Sequence, residues 1–437
     1  MAIGCDKLID VGAPKNQLSP DQVFSDSSAV SALLANTYAL FERTVEVNIS
    51  RNMALYADEL GFTQTTTQQV EFWNSVVSPD NSANLNIWRY LYAIIYQCND
   101  LLAQLPSSSI SVDQQQAVAG QAKFLRAFSY FYLVNFYQNV PLVLSIDVNT
   151  NRIIPQSDQS LVYDQILADL REAKTILGTT ATEGQNTRAN GWSVAAMLAK
   201  VYFAIGEWEM AVSEATEIIN SGRYRLEDLD RVFLTDSRET ILQFWTQDGF
   251  VTSATSLVPS SATVLPSTLV TDVLYETFET SDLRRSQWIG TNVVTTNGIA
   301  DSYHFPYKYR NRSAAGSMQE HLVAIRLGEL YLIRAEAYAN LNRIDKATAD
   351  LNTIRNRAGL SNLSANDSET ALNLLADEFQ REMFVEWGAR FINLKRMRKL
   401  DEVIGGLKST WKPYAENLPI PQNELLYNPN LIQNNGY

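Results

Sequence analysis

Two cysteines and two histidines in 437 residues leave this chain little metal or redox chemistry. A disulfide framework and a Cys-rich zinc site are both excluded. His304 and His321 have no metal-ligating neighbour at i+4 and no nearby Cys, so zinc hydrolysis and a bound metal are not expected. Basic residues are also scarce, 35 against 48 acidic, for a net charge of −13. Nucleic acid is therefore not an expected partner, since phosphates need clustered Lys and Arg. The same shortage leaves no basic patch for anionic lipid. No apolar run reaches the roughly 20 residues that span a bilayer. Phosphate-cradling loops, dinucleotide fingerprints and a G-x-S-x-G elbow are missing too; Gly191-Trp192-Ser193 breaks off at Ala195 and opens a helix. No cofactor is expected.

What is present is an ordinary globular composition, 46% hydrophobic and 19% charged, with a surplus of aromatics: eight Trp, 20 Tyr and 17 Phe. Several of these fall in stretches without helical periodicity. Cys98 lies in the apolar run Ile94-Ile95-Tyr96-Gln97-Cys98 and reads as a buried, inert thiol. Cys5, in Ala2-Ile3-Gly4-Cys5-Asp6, follows small and apolar residues and precedes a polar segment. That is the local pattern of a bacterial lipoprotein cleavage site, whose Cys is acylated, although no charged and apolar signal regions precede it. A stray Cys in an unstructured end is the alternative. Carboxylate pairs are the one enzymatic option left, as in glycosidases. Asp58 with Glu59 reads as a helix-end feature, and Glu382 with Glu386, near Arg381 and Arg390, as a salt-bridge cluster. No catalytic residue is assigned.

Residues 1–26 form a polar leader, and 27–437 read as one domain. Helical patterns cover 27–222 and return over 320–400, with helices expected over 326–357 and 370–389. In Ile87 to Leu105, Ile87, Leu91, Ile94, Ile95, Cys98 and Leu102 share one face. Ala122 to Tyr137 is an aromatic helix stopped by Asn139 and Pro141, and Leu161 to Leu177 is amphipathic. Ala199, Tyr202, Gly206, Trp208, Ala211 and Ala215 recur at the offsets of a tetratricopeptide unit, and Ala335, Tyr338 and Ala347 repeat the spacing. Ala127 and Tyr130 begin a looser match whose partner helix is delayed to about residue 161. Small alanines let paired helices approach closely. The expected fold is mainly α, about four stacked helix pairs packed against an irregular part. That part is 223–319, rich in Ser, Thr, Val, Gly and Tyr, and long irregular segments on a rigid scaffold usually carry binding.

Several motifs together resemble the SusD/RagB-like family of outer-membrane glycan-binding lipoproteins. The segment from Gly120 through Lys123, Arg126 and Asn139 to Pro141 looks like the family's signature helix. So do Arg326 to Ala337, with Glu329, Ala335 and Glu336, and the run Asn352, Arg355, Arg357, Gly359. Glu382, Glu386, Gly388 and Arg390 with Leu394-Lys395-Arg396 resemble its E-x3-E-G-x-R-x3-LKR block, with Trp387 inserted where Glu-Gly is usual. The ending Asn428-Pro429 to Tyr437 and the leader Cys5 to Asp10 are similar as well. The resemblance implies four tetratricopeptide-like units, a lipid on Cys5, and an outer-membrane location in a Bacteroidetes-type bacterium. It also implies a TonB-dependent, SusC-like transporter as partner, to which captured oligosaccharide is presented, and no catalysis.

A pyranose offers an apolar C–H face to aromatic rings and a rim of hydroxyls to Asn, Asp, Gln and Arg. Two regions are expected to supply them. The polar loop Leu60 to Asn84 carries Phe72-Trp73-Asn74, and the corresponding loop commonly contributes to the site in the family. The long insertion carries Trp245, Trp288, Tyr303, Tyr307 and Tyr309. If 303–309 is extended, Tyr303, Phe305, Tyr307 and Tyr309 project to one side. Trp73 and Trp288 lack regularly spaced apolar neighbours and are read as ligand-facing; Trp245 is read equally as sugar contact or strand-end core. Asp58, Asn74 and Asp301 are polar partners chosen by proximity in sequence. Trp88, Trp192, Trp208 and Trp387 are assigned to packing. The competing readings are a peptide adaptor, since tetratricopeptide grooves bind chain termini, and a glycosidase.

Overall fold

The computed structural model describes residues 20–178, 186–247, 249–313 and 319–437. Helices dominate, and they pack in pairs. Ser27–Thr44 packs on Ser82–Gln104, and Val112–Tyr137 on Gln159–Leu177. Gly191–Ile205 then packs on Trp208–Ile219, and Leu327–Asn340 on Ile344–Arg357. The alanine spacing has the expected consequence: Ala199, Ala211, Ala215, Ala335 and Ala347 are buried at the contacts. The two pairs joined by short turns also turn alike. Gly206 (φ 80°) and Asn342 (φ 57°) hold matching left-handed positions, residue types that tolerate that conformation. In each pair a backbone bond closes the turn, Glu207 N–H to Tyr202 O and Arg343 N–H to Tyr338 O. The pair with the long connection, Val112–Tyr137 with Gln159–Leu177, shares another device. Arg126 grips Asp169 across its helices as Arg334 grips Asp350 across theirs.

The second helix of the sequence reading extends back to Val112, because Ser111 caps its first turn. The helix expected over 370–389 ends instead at Met383. Val385, Trp387 and Gly388 all adopt positive φ there, and Val385 is β-branched, so the turn is strained. Buried cations hold it in that shape. Lys308 Nζ donates to the carbonyls of Glu382 and Phe384 and to the Glu386 carboxylate.

Residues 223–319 hold short strands and helices between irregular stretches. Thr240–Phe244 pairs antiparallel with Leu322–Arg326, both strands fully buried. Leu60–Phe62 pairs with Thr268–Val270. Ile289–Thr296 and Ile299–Pro306 form a hairpin closed by Asn297-Gly298, both at positive φ, the conformation of a two-residue type I′ turn. Beneath these, Trp387 sits in a cluster of Phe41, Phe128, Tyr132 and Phe244. Trp88 is buried as well, whereas Trp192 and Trp208 are half-buried against the core.

Candidate glycan site

Asp58 to Phe62 lead from the core toward the surface. Their backbone is fixed from the insertion side: Thr271 donates its N–H to Glu59 O and its hydroxyl to Asp58 O. Strand pairing with Thr268–Val270 continues the tie outward to Phe62. A capping box between Thr66 and Gln69 then starts the helix Thr67–Trp73. Phe72 faces the core on this helix, and Trp73 is 43% exposed. Phe62 packs edge-on against the Trp73 ring, centroids 5.5 Å apart, and braces it. Asn74 follows half-buried, its carbonyl accepting the Thr410 hydroxyl.

The hairpin strand Ile299–Pro306 packs against Thr268–Val270 as well. Asn292 and Tyr303 are opposite one another in its ladder, as are Gly290 and Phe305. Tyr303 is half-buried and Asp301 exposed. The segment before Thr268 joins the two edges. Thr63 donates through its N–H to Ser267 O and through its hydroxyl to Pro266 O, while Asn292 holds Ser261 O and Val264 O. Trp73, through its ring contact with Phe62, and Tyr303, through its pairing with Asn292, are therefore linked by way of the hydrogen-bonded 261–267 turn.

Trp245 is 53% exposed, one residue beyond the buried strand Thr240–Phe244, with His321 as its ring neighbour. In the chain it precedes the helix Val251–Leu257 and the 261–267 turn. Tyr307 is half-buried, set edge-on to Phe305 and covered by Arg310.

Two of the expected sugar contacts are corrected. Trp288 is 0% exposed, and its indole N–H donates to Leu229 O at 2.8 Å. Phe233 and Phe384 flank the ring, with Lys308 4.7 Å from its centre, so no face is left for a ligand. Asp58 is buried, both carboxylate oxygens held by Arg390 at 2.9 and 2.7 Å. The one-sided array over 303–309 is corrected likewise. The strand stops at Pro306; Phe305 is buried, and the Tyr309 hydroxyl accepts the Val323 N–H inside the core. Phe62 and Asn292 were not singled out in the sequence, although Asn297-Gly298 is the dipeptide of a two-residue hairpin turn.

The other carboxylates of the two candidate pairs are buried. Glu382 is fully buried between Arg284, Arg326 and Arg357. Burial opposes its ionisation, but these three guanidiniums hold its carboxyl well below the usual range. Glu386 pairs with Arg326 and Lys308. The sequence reading of a salt-bridge cluster is right in kind and wrong in partners, since Arg381 binds Glu378 and Arg390 binds Asp58. Glu59 is buried with Oε1 unpartnered, and burial together with the Asp58 charge pushes its carboxyl up to about 8. Among the described residues no group of His, Cys, Asp or Glu is arranged to hold a metal ion, and no helix is long and apolar enough to cross a membrane.

Helix pairs packed against a region of short strands and irregular stretches define a class, and the comparisons give it a name. Residues 9–203 match the family model described as "Starch-binding associating with outer membrane", and residues 288–437 match the model of the SusD family. The chain belongs to the SusD-like family of carbohydrate-binding proteins. SusD-like protein P2 of Formosa agariphila is 27% identical, the alignment covering 100% of this chain and 97% of that one. A SusD superfamily protein from Bacteroides vulgatus superposes with a TM-score of 0.83 at 21% identity, covering 95% of this chain and 100% of that one. A laminarin-binding SusD-like protein superposes at 0.81 and 24% identity, covering 94% and 99%.

Proposed function

We propose that this chain captures oligosaccharide or polysaccharide at the outer cell surface without cutting it and delivers it to a TonB-dependent transporter. The observation that carries this reading is Trp73, an exposed indole braced by the Phe62 ring, beside which Thr63 bonds the 261–267 turn that Asn292 of the Tyr303 hairpin also holds. Its free area suits a sugar face; Asn74 follows it directly and Asp301 lies two residues from Tyr303, and both are read as serving hydroxyls. Trp245 supplies a second exposed ring for a longer chain. Capture without hydrolysis is supported by the carboxylates: Asp58, Glu382 and Glu386 are buried in ion pairs, and Glu59 is buried beside them. The division into a leader over 1–26, a helical scaffold and a ligand-bearing insertion over 223–319 belongs to the same reading. So does the lipid on Cys5, which lies outside the described residues.

A panel of polysaccharides in affinity electrophoresis, laminarin first because a structural relative is named for binding it, tests capture. Retardation without release of reducing ends is the expected result. Release of reducing ends would overturn non-catalytic capture. Co-purification with a co-expressed TonB-dependent transporter tests delivery, and its absence under conditions that preserve the outer membrane would contradict that step.

A further inference from the structure

We infer that Asn292 is a positioning residue of the glycan site, setting the separation of the Trp73 and Tyr303 edges and hence the chain length that both edges hold. The inference rests on the proposed function. Asn292 is only 4% exposed, and its carboxamide donates both hydrogens, to Ser261 O at 2.8 Å and Val264 O at 2.7 Å. A buried Asn that spends both donors on one turn fixes that turn's position relative to its own strand. Among the described residues these are the hydrogen bonds that join the hairpin to the turn.

The turn is otherwise poorly anchored on that side, since Val264 and Leu265 are exposed to solvent. Three residues later the same segment passes into the other edge, through Thr63 and the Leu60–Phe62 pairing to Phe62 and Trp73. Asn292 therefore closes a continuous path from one edge to the other. Opposite residues of an antiparallel ladder lie on the same face, so Tyr303 moves with the strand that Asn292 pins. Gly290 serves the same face: a Cβ there would meet the Phe305 ring at 2.3 Å, so the hairpin keeps its flat approach only with glycine. Asn292→Ala removes both bonds. Asn292→Asp is worse, because it sets a carboxylate against two carbonyl oxygens.

The test compares the wild-type chain with N292A, N292D and W73A. Hydrogen exchange at the Thr63 amide, bonded to Ser267 O, reads the coupling without any ligand. It rises roughly tenfold in N292A, the loss expected of about one net hydrogen-bond energy, while the helix pairs keep their protection. Affinities for laminarin and for laminaribiose, or for the polysaccharide retained in the panel and its disaccharide, read the site. The long ligand loses roughly tenfold in N292A and more in N292D, and the disaccharide keeps its affinity, a length dependence that general destabilisation would not produce. Unchanged Thr63 exchange, or equal losses for long and short ligands, would overturn the positioning role. Wild-type affinity in W73A would instead overturn the glycan site. Loss in W73A with an unchanged length ratio in N292A would sink the positioning role alone.

Discussion

At Glu59, burial and the neighbouring Asp58 charge push the carboxyl up to about 8, against an ordinary value of 4.5. Arg390 lowers it, but Asp58 takes both hydrogen bonds of that guanidinium. The folded chain thus keeps a proton that the unfolded chain releases, and stability falls as pH rises from about 4.5 to 8, then levels off. Glu59→Gln removes the titration, so its melting temperature gains on the wild type between pH 5 and pH 8. A gap that stays constant over this range would show that Glu59 ionises normally. Residue by residue, the sequence marked Trp73, which is 43% exposed, as turned outward, because it lies outside any apolar period. It misplaced Trp288 and Asp58, whose partners Leu229 and Arg390 lie 59 and 332 residues away. No local pattern carries such contacts. Trp288→Ala should cost about 3–5 kcal/mol in urea denaturation, and Trp73→Ala, half in solvent already, far less.

At the scale of elements, helices and their pairing were legible because alanine spacing and apolar periodicity are local. The left-handed turns show how local chemistry is reused: Gly206→Ala should destabilise by about 1 kcal/mol, and Asn342→Gly should change little. Chemical denaturation of the two variants checks this, and equal losses would mean that the turns are not equivalent. The hairpin was written in Asn297-Gly298, but the surrounding Thr, Val and Asn residues alternate too weakly in hydrophobicity to announce a strand. Only the pairing of Ile289 with Pro306 and of Asn292 with Tyr303 makes them an element. The break after Met383 was not legible for another reason. Helical periodicity runs on through Glu386, and the turn exists because Lys308 and Arg326, from other segments, claim its carbonyls and carboxylate.

At the scale of the molecule, those same cations join the insertion to the scaffold. Arg284 and Lys308 come from the insertion, Arg326 and Arg357 from the helical return, and Glu239 and Glu382 meet them in the interior. Arg326→Met would leave Glu382 and Glu386 buried with fewer counter-charges and should cost about 3–5 kcal/mol, read as a lower denaturation midpoint. A neutral result would mean that the remaining cations suffice. Asp58, Glu382 and Glu386 are buried in ion pairs with Arg390, Arg326 and their neighbours, which supports the proposal of capture without hydrolysis. The most direct test is to measure polysaccharide affinity and reducing-end release on the same samples of wild type and W73A. Binding by the wild type, loss in W73A with an unchanged melting temperature, and no new reducing ends are predicted. Retained affinity in W73A, or sugar released by the wild type, would contradict the account.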